Sequence, residues 1–455
     1  MLFSSITFLF FFLPITLMLH QLAPWRWKNH VLLAASVIFY ASGEPRYIAL
    51  LALSALVGWL HGLYMTRHPR CRPALISAVV WNLAFLLFFK YADFLTGSLN
   101  SLLGTSIPAL GLSLPIGISF YTFQNMSYVL DVYRGDSRAE GNFASYATYL
   151  CLFPQLIAGP IVRYSDVARE LKDRTVDTAG FSRGVVRFTV GLGKKVLLAN
   201  SIGVLAELTV PEGSVLFSWL RAIAYTFQIY FDFAGYSDMA IGMGAMMGFR
   251  FPENFNYPYL SRSVTEFWRR WHMTLGGWFR DYVYIPLGGS RVGRIKWVRN
   301  VLVVWTLTGI WHGASWNFLL WGLYYGILLL VEKFFLGKYL KGKVLPHVYV
   351  LLLTILGFVL FHSATGAEAL REVGRMFGLG GLPAVNATAL YYLRSYAVLF
   401  ILCALGSTPW PARWAARLRG RAAALLHPLA VAAVLLLATA CLVDGSFNPF
   451  LYFRF

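Results

Sequence analysis

Two histidines in this chain stand where a histidine is costly to keep. His312 lies inside an apolar run covering residues 301–331, in the string Trp311-His312-Gly313-Ala314-Ser315-Trp316-Asn317. A titratable ring at membrane depth must be compensated, so it is either bonded to a neighbouring helix or used for chemistry. An imidazole, with a reference pKa of ~6.5, can take a proton from a hydroxyl near neutral pH. His272 lies 312 − 272 = 40 residues upstream, in Thr265-Glu266-Phe267-Trp268-Arg269-Arg270-Trp271-His272.

The segment around His272 reads as one amphipathic helix. Ser263 and Glu266 fit a capping box at its start. Phe267, Trp271, Leu275, Trp278, Tyr282 and Ile285 then recur every three or four residues, while Arg269, Arg270, Arg280 and Asp281 form a polar face. Such a helix lies at a membrane interface, as a lipid anchor or as the lip of a cavity. Asp232 and Asp238 also fall in or beside apolar sequence, where a carboxylate either polarises a catalytic group or pairs with a cation.

These groups need a frame, and composition supplies its class. Of 455 residues, 58% are hydrophobic and 13% charged. Soluble domains carry roughly 25% charged residues, so the chain reads as an all-α, polytopic integral membrane protein. Its apolar stretches predict about 10–12 membrane helices, with re-entrant or amphipathic segments around a central cavity. Residues 1–455 form one membrane-embedded domain on this reading. Residues 2–19 lack a preceding basic residue and a cleavage site, which predicts a retained first helix. Cys71, Cys151, Cys403 and Cys441 have no metal-ligand or disulfide spacing.

The formal charge of +19 fits a positive cytoplasmic face, and attraction to lipid head groups or to an anionic donor or carrier. Basic residues scattered among short loops argue against nucleic acid. Arg26/Lys28, Arg67/Arg70/Arg72 and the loop 291–299 are assigned to the cytoplasm. From Arg299, His312 is 312 − 299 = 13 residues away, or ~20 Å of helix. Run 301–331 is either one tilted helix or two halves broken at residues 312–315. Breaking it keeps Lys333, Lys338, Lys341 and Lys343 cytoplasmic, and that reading is preferred.

Together the motifs resemble the membrane-bound O-acyltransferase family. The matching strings are Trp311-His312-Gly313, residues 265–272, residues 230–242 (from Tyr230-Phe231-Asp232 to Gly242), residues 115–124 and Ile157-Ala158-Gly159-Pro160. The bacterial branch typified by the alginate O-acetylation membrane subunit is the nearest match, strongest over about residues 1–360. The resemblance implies an O-acyltransferase of the bacterial inner membrane that moves an acetyl group from a cytoplasmic donor, acetyl-CoA or an acyl carrier protein, toward an extracytoplasmic polysaccharide. It implies no bound cofactor or metal. It implies His312 as base and His272 in support on the donor side, with Asp232, Asp238, Trp311 and Asn317 supporting. Trp268, Arg269, Arg270 and Arg280 are expected at the donor, although lipid phosphates would satisfy the arginines equally. An outer partner with a serine-hydrolase-like fold is also implied. A D-alanyl or other acyl transferase to a cell-wall polymer is the alternative, and a donor transporter a more distant one.

Residues 444–455 are expected outside as an aromatic tail. Its F-x-Y-F-x-F pattern, Phe450 to Phe455, is an interface anchor or, by resemblance to a small partner in teichoic acid D-alanylation, an acyl relay through the Tyr452 hydroxyl.

Overall fold

In the computed structural model, which describes residues 1–210 and 213–445, every regular element is helical. Among the described residues, seven helices are long and apolar enough to cross a membrane: Pro45–Arg67, Arg72–Leu103, Thr178–Glu207, Trp316–Leu336, Leu345–His362, Ala387–Gly406 and Gly420–Asp444. The first helix expected over residues 2–19 is a shorter apolar helix at Phe8–Leu22, and Val215–Met246 is long but carries Arg221, Asp232 and Asp238. Polarity and length therefore separate part of the expected set from the clear spans. Tyr452 lies outside the described residues.

The chain divides into two compact units. One holds residues 1–188 and 237–253. In it, α1 (Ile48–Arg67) and α2 (Arg72–Leu103) form an antiparallel pair over a short basic turn. Its interior is rich in bonded polar groups: Tyr146 donates to Asn125 Oδ1 at 2.6 Å, and Tyr164 to Glu140 at 2.7 Å. Asp238 belongs to this unit and pairs with Arg187 at 2.6 Å. Gly242 is where a helix comes close, since an added Cβ would stand 2.7 Å from the Gly184 carbonyl.

The second unit holds residues 189–236 and those from 254 onward. Four of its elements position the histidines: α3 (Val264–Arg270), α4 (Met273–Phe279), α5 (Arg294–His312) and α6 (Trp316–Val331). The apolar run 301–331 is broken at residues 313–315, and α6 turns back along α5. Gly309 and Gly322 lie back to back, so that a Cβ on Gly322 would sit 3.0 Å from Gly309 Cα. No side chain fits there, and the absence of side chains lets the two backbones close. The α7 helix (Leu345–His362) packs beside α6, with Tyr324 donating to the Leu353 carbonyl at 2.8 Å.

Candidate active site

The single amphipathic helix expected over residues 263–285 is interrupted. Ser263 caps α3, its hydroxyl accepting from the Glu266 amide at 2.9 Å, while the Glu266 carboxylate takes the Arg262 amide. The buried Glu332 carboxylate crosses over to accept from the Val264 amide at 2.7 Å and from the Thr265 hydroxyl at 3.1 Å. The helix then stops at Trp271. His272 has φ 42°, a left-handed conformation, and α4 starts afresh after it.

Asn254 causes the break. Its carbonyl accepts from the Met273 amide at 2.9 Å, and its side-chain oxygen accepts from the Thr274 hydroxyl at 2.9 Å. A helix running through would need the Met273 amide for an i→i−4 bond, and Asn254 takes it instead. The same Oδ1 lies 3.0 Å from His272 Nδ1. That atom already accepts from Thr274, so it is an oxygen, and His272 Nδ1 must be the donor. Nε2 of the neutral ring is then the basic nitrogen. Burial lowers the His272 pKa well below the ordinary imidazole value, and His312 adds to the shift.

His312 ends α5 and is buried. Aromatic edges hold its ring, with Trp321, Trp311 and Phe361 at centroid distances of 4.9, 5.1 and 5.4 Å. Trp311 also meets His272 edge-on at 5.9 Å. Both histidines line one cavity of about 540 Å³, a size that accommodates part of a cofactor-sized ligand. Trp268, Trp305 and Leu329 form apolar wall, Thr308 is a hydroxyl on the same side as His312, and Arg269 and Arg280 also line the cavity.

The structure therefore brings together His272, His312, Trp268, Arg269 and Arg280 of the residues named from sequence. Arg270 is not on that lining; it bonds Glu266 at 2.7 Å and the Asn256 carbonyl. Asn317 ties α6 to α7 through the Leu360 and Ser363 carbonyls, a packing role. Asp232 is paired with Lys195 at 2.5 Å, both side chains 2% exposed, and is absent from the cavity wall. Asp238 belongs to the first unit. Sequence reasoning missed Asn254, Glu332, Thr308 and Lys195. Only Lys195 left a signal, as a charge inside apolar sequence that required a partner.

Chemically, the cavity offers a basic nitrogen fixed by Asn254, a second imidazole at a broken-helix tip, apolar walls and cations. Arg280 is engaged by Asp281 at 2.6 Å, while Arg269 has no carboxylate partner among the described residues. That set suits an apolar acyl group attached to an anionic carrier.

Comparisons with known proteins agree with acyl transfer. The model of MBOAT, the membrane-bound O-acyltransferase family, matches residues 138–341, which include both histidines. A probable alginate O-acetylase AlgI from Pseudomonas putida is 39% identical, with all of both chains covered. Its counterpart from Pseudomonas aeruginosa is 43% identical over 84% of this chain and 75% of its own. A peptidoglycan O-acetyltransferase from Helicobacter pylori is 33% identical over 84% of this chain and 81% of its own. The chain thus belongs to the membrane-bound O-acyltransferase family, as a multi-pass membrane enzyme.

Proposed function

We propose that this enzyme takes an acetyl group from acetyl-CoA on the cytoplasmic side of the bacterial inner membrane and delivers it outward for O-acetylation of an extracytoplasmic polysaccharide. The observation that carries the reading is the convergence of His272 and His312 on one cavity whose lining includes Arg269 and Arg280. The lining also includes Val304 and Thr308 of α5, the helix that starts at the basic loop 291–299, which supports a cytoplasmic donor. The names of the relatives from Pseudomonas and Helicobacter support acetyl transfer to a polysaccharide.

In this mechanism the arginines hold the phosphates of coenzyme A and the thioester lies along the wall that Trp268 and Trp305 form. His312 accepts the proton of an incoming hydroxyl as its oxygen attacks the thioester carbonyl. The tetrahedral intermediate then expels the CoA thiolate, and the imidazolium proton is returned to sulfur. His272, with Nε2 as its basic nitrogen, orients the donor side. The first hydroxyl acylated is that of Tyr452. Its aryl ester passes the acetyl group to an outer partner of serine-hydrolase-like fold, which hands it to the polymer.

Purified enzyme with radiolabelled acetyl-CoA is the test. Release of CoA with label on protein supports the reading. Release only from an acyl carrier protein substrate overturns the donor assignment.

A further inference from the structure

A second cavity lies in the first unit, far in sequence from both histidines. It is a groove of about 730 Å³ between α1 and α2, whose lining includes Leu60, Leu63, Tyr64, Arg67 and Ala74. Its length is mostly hydrocarbon, and Leu60 and Tyr64 on its wall are half exposed. His61 donates from Nδ1 to the Val57 carbonyl at 2.8 Å and meets the Ser77 hydroxyl through Nε2 at 3.2 Å, bridging the two helices. The ring of His68 stacks on Tyr64 at 4.3 Å.

Charge at this end is one-sided. Arg67, Arg70 and Arg72 surround the turn, all exposed, and none has a carboxylate partner among the described residues. Between Glu44 and Asp93 the chain has no acidic residue at all. The arginines place the turn in the cytoplasmic leaflet. Here a cationic turn, with Arg67 on the lining, closes one end of a mostly apolar groove.

We propose that this groove is a binding site for an anionic phospholipid of the cytoplasmic leaflet. The phosphodiester lies between Arg67 and Arg72, and one acyl chain runs down the groove past Leu63, Ala74 and Leu60. Charge complementarity selects the occupant. A free anion would leave the apolar channel uncovered, and a zwitterionic lipid would bring its ammonium group against three guanidinium groups.

The test uses the full-length enzyme, delipidated in mild detergent and observed by native mass spectrometry after adding lipid. Phosphatidylglycerol should be retained in preference to phosphatidylcholine of the same chains. The variant Arg67→Gln/Arg70→Gln/Arg72→Gln should retain about fivefold less phosphatidylglycerol or lower still. Leu63→Trp, which fills the channel and leaves the charges, should lower retention too. Gel filtration confirms that each variant is folded, and Leu63→Trp provides an independent reading if the triple variant is not. Equal retention of the two lipids, or undiminished retention in a folded variant, overturns the proposal. Displacement by glycerol 3-phosphate at equal concentration overturns the role of the acyl chain.

Discussion

Asn254 and His272 meet side chain to side chain, Oδ1 to Nδ1 at 3.0 Å, and the backbone of Asn254 holds the next residue as well. One residue thus breaks the helix, aims the imidazole and fixes its tautomer. Asn254→Ala should lower acetyl transfer about tenfold or more, since it leaves the buried His272 Nδ1–H without its acceptor, a loss of ~1–3 kcal/mol. Asn254→Asp, which still accepts from Nδ1, should retain more activity. Initial rates with acetyl-CoA compare them, and equal rates for Asn254→Ala and wild type would remove the role.

His312→Gln is expected to reduce transfer by about 10²–10⁴-fold, the usual contribution of a positioned base. The variant should elute and melt like wild type in detergent. Retained acetylation would assign the proton transfer elsewhere.

Arg269 and Arg280 both line the cavity, but Asp281 already engages Arg280. Arg269→Gln should therefore raise the KM for acetyl-CoA about tenfold, since bonds to charged groups are worth ~1.5–3 kcal/mol, with kcat nearly constant. Arg280→Gln should do less. A fall in kcat at constant KM would place Arg269 in the chemistry and not in donor binding.

Lys195 and Asp232 make a buried pair. Lys195→Met alone should destabilise by about 3–5 kcal/mol because it removes the cation from a buried carboxylate, whereas Lys195→Met/Asp232→Leu should recover most of that loss. Thermal unfolding in detergent measures both. An unrecovered double variant would show that the charges serve more than each other.

Tyr452→Phe keeps the ring of the tail and removes only the oxygen. Polymer acetylation should stop while membrane insertion stays normal. Full activity in this variant would reduce the tail to an anchor.

Much of this arrangement is legible in the residues alone. The clustering of lysines after residue 331 favours a break at residues 312–315 over one tilted helix, and the structure has that break, closed on Gly309 and Gly322. The capping role of Ser263 follows from local spacing, and the structure keeps it. The break at His272 is invisible locally, because the amphipathic period runs straight through it. Its cause lies 18 residues upstream in Asn254, a tertiary contact with no sequence period. Glu332 is hidden in the same way: it ends one helix and caps another 68 residues away in the chain. Asp232 and Asp238 show that apolar context marks a carboxylate as needing a cation without saying whether it also touches a reacting group.

The left-handed backbone at His272 has a consequence for durability. A residue with a Cβ gives up roughly 1 kcal/mol to sit there, a cost that glycine escapes and asparagine reduces. His272 is nevertheless buried, bonded to Asn254 and packed against Phe233 and Trp311, and those contacts outweigh the strain, so His272→Gly should unfold at a lower temperature than the native enzyme. The strained backbone at position 272 is thus kept by its neighbours, and loosening any of them would let the loop relax and carry the imidazole away from the cavity.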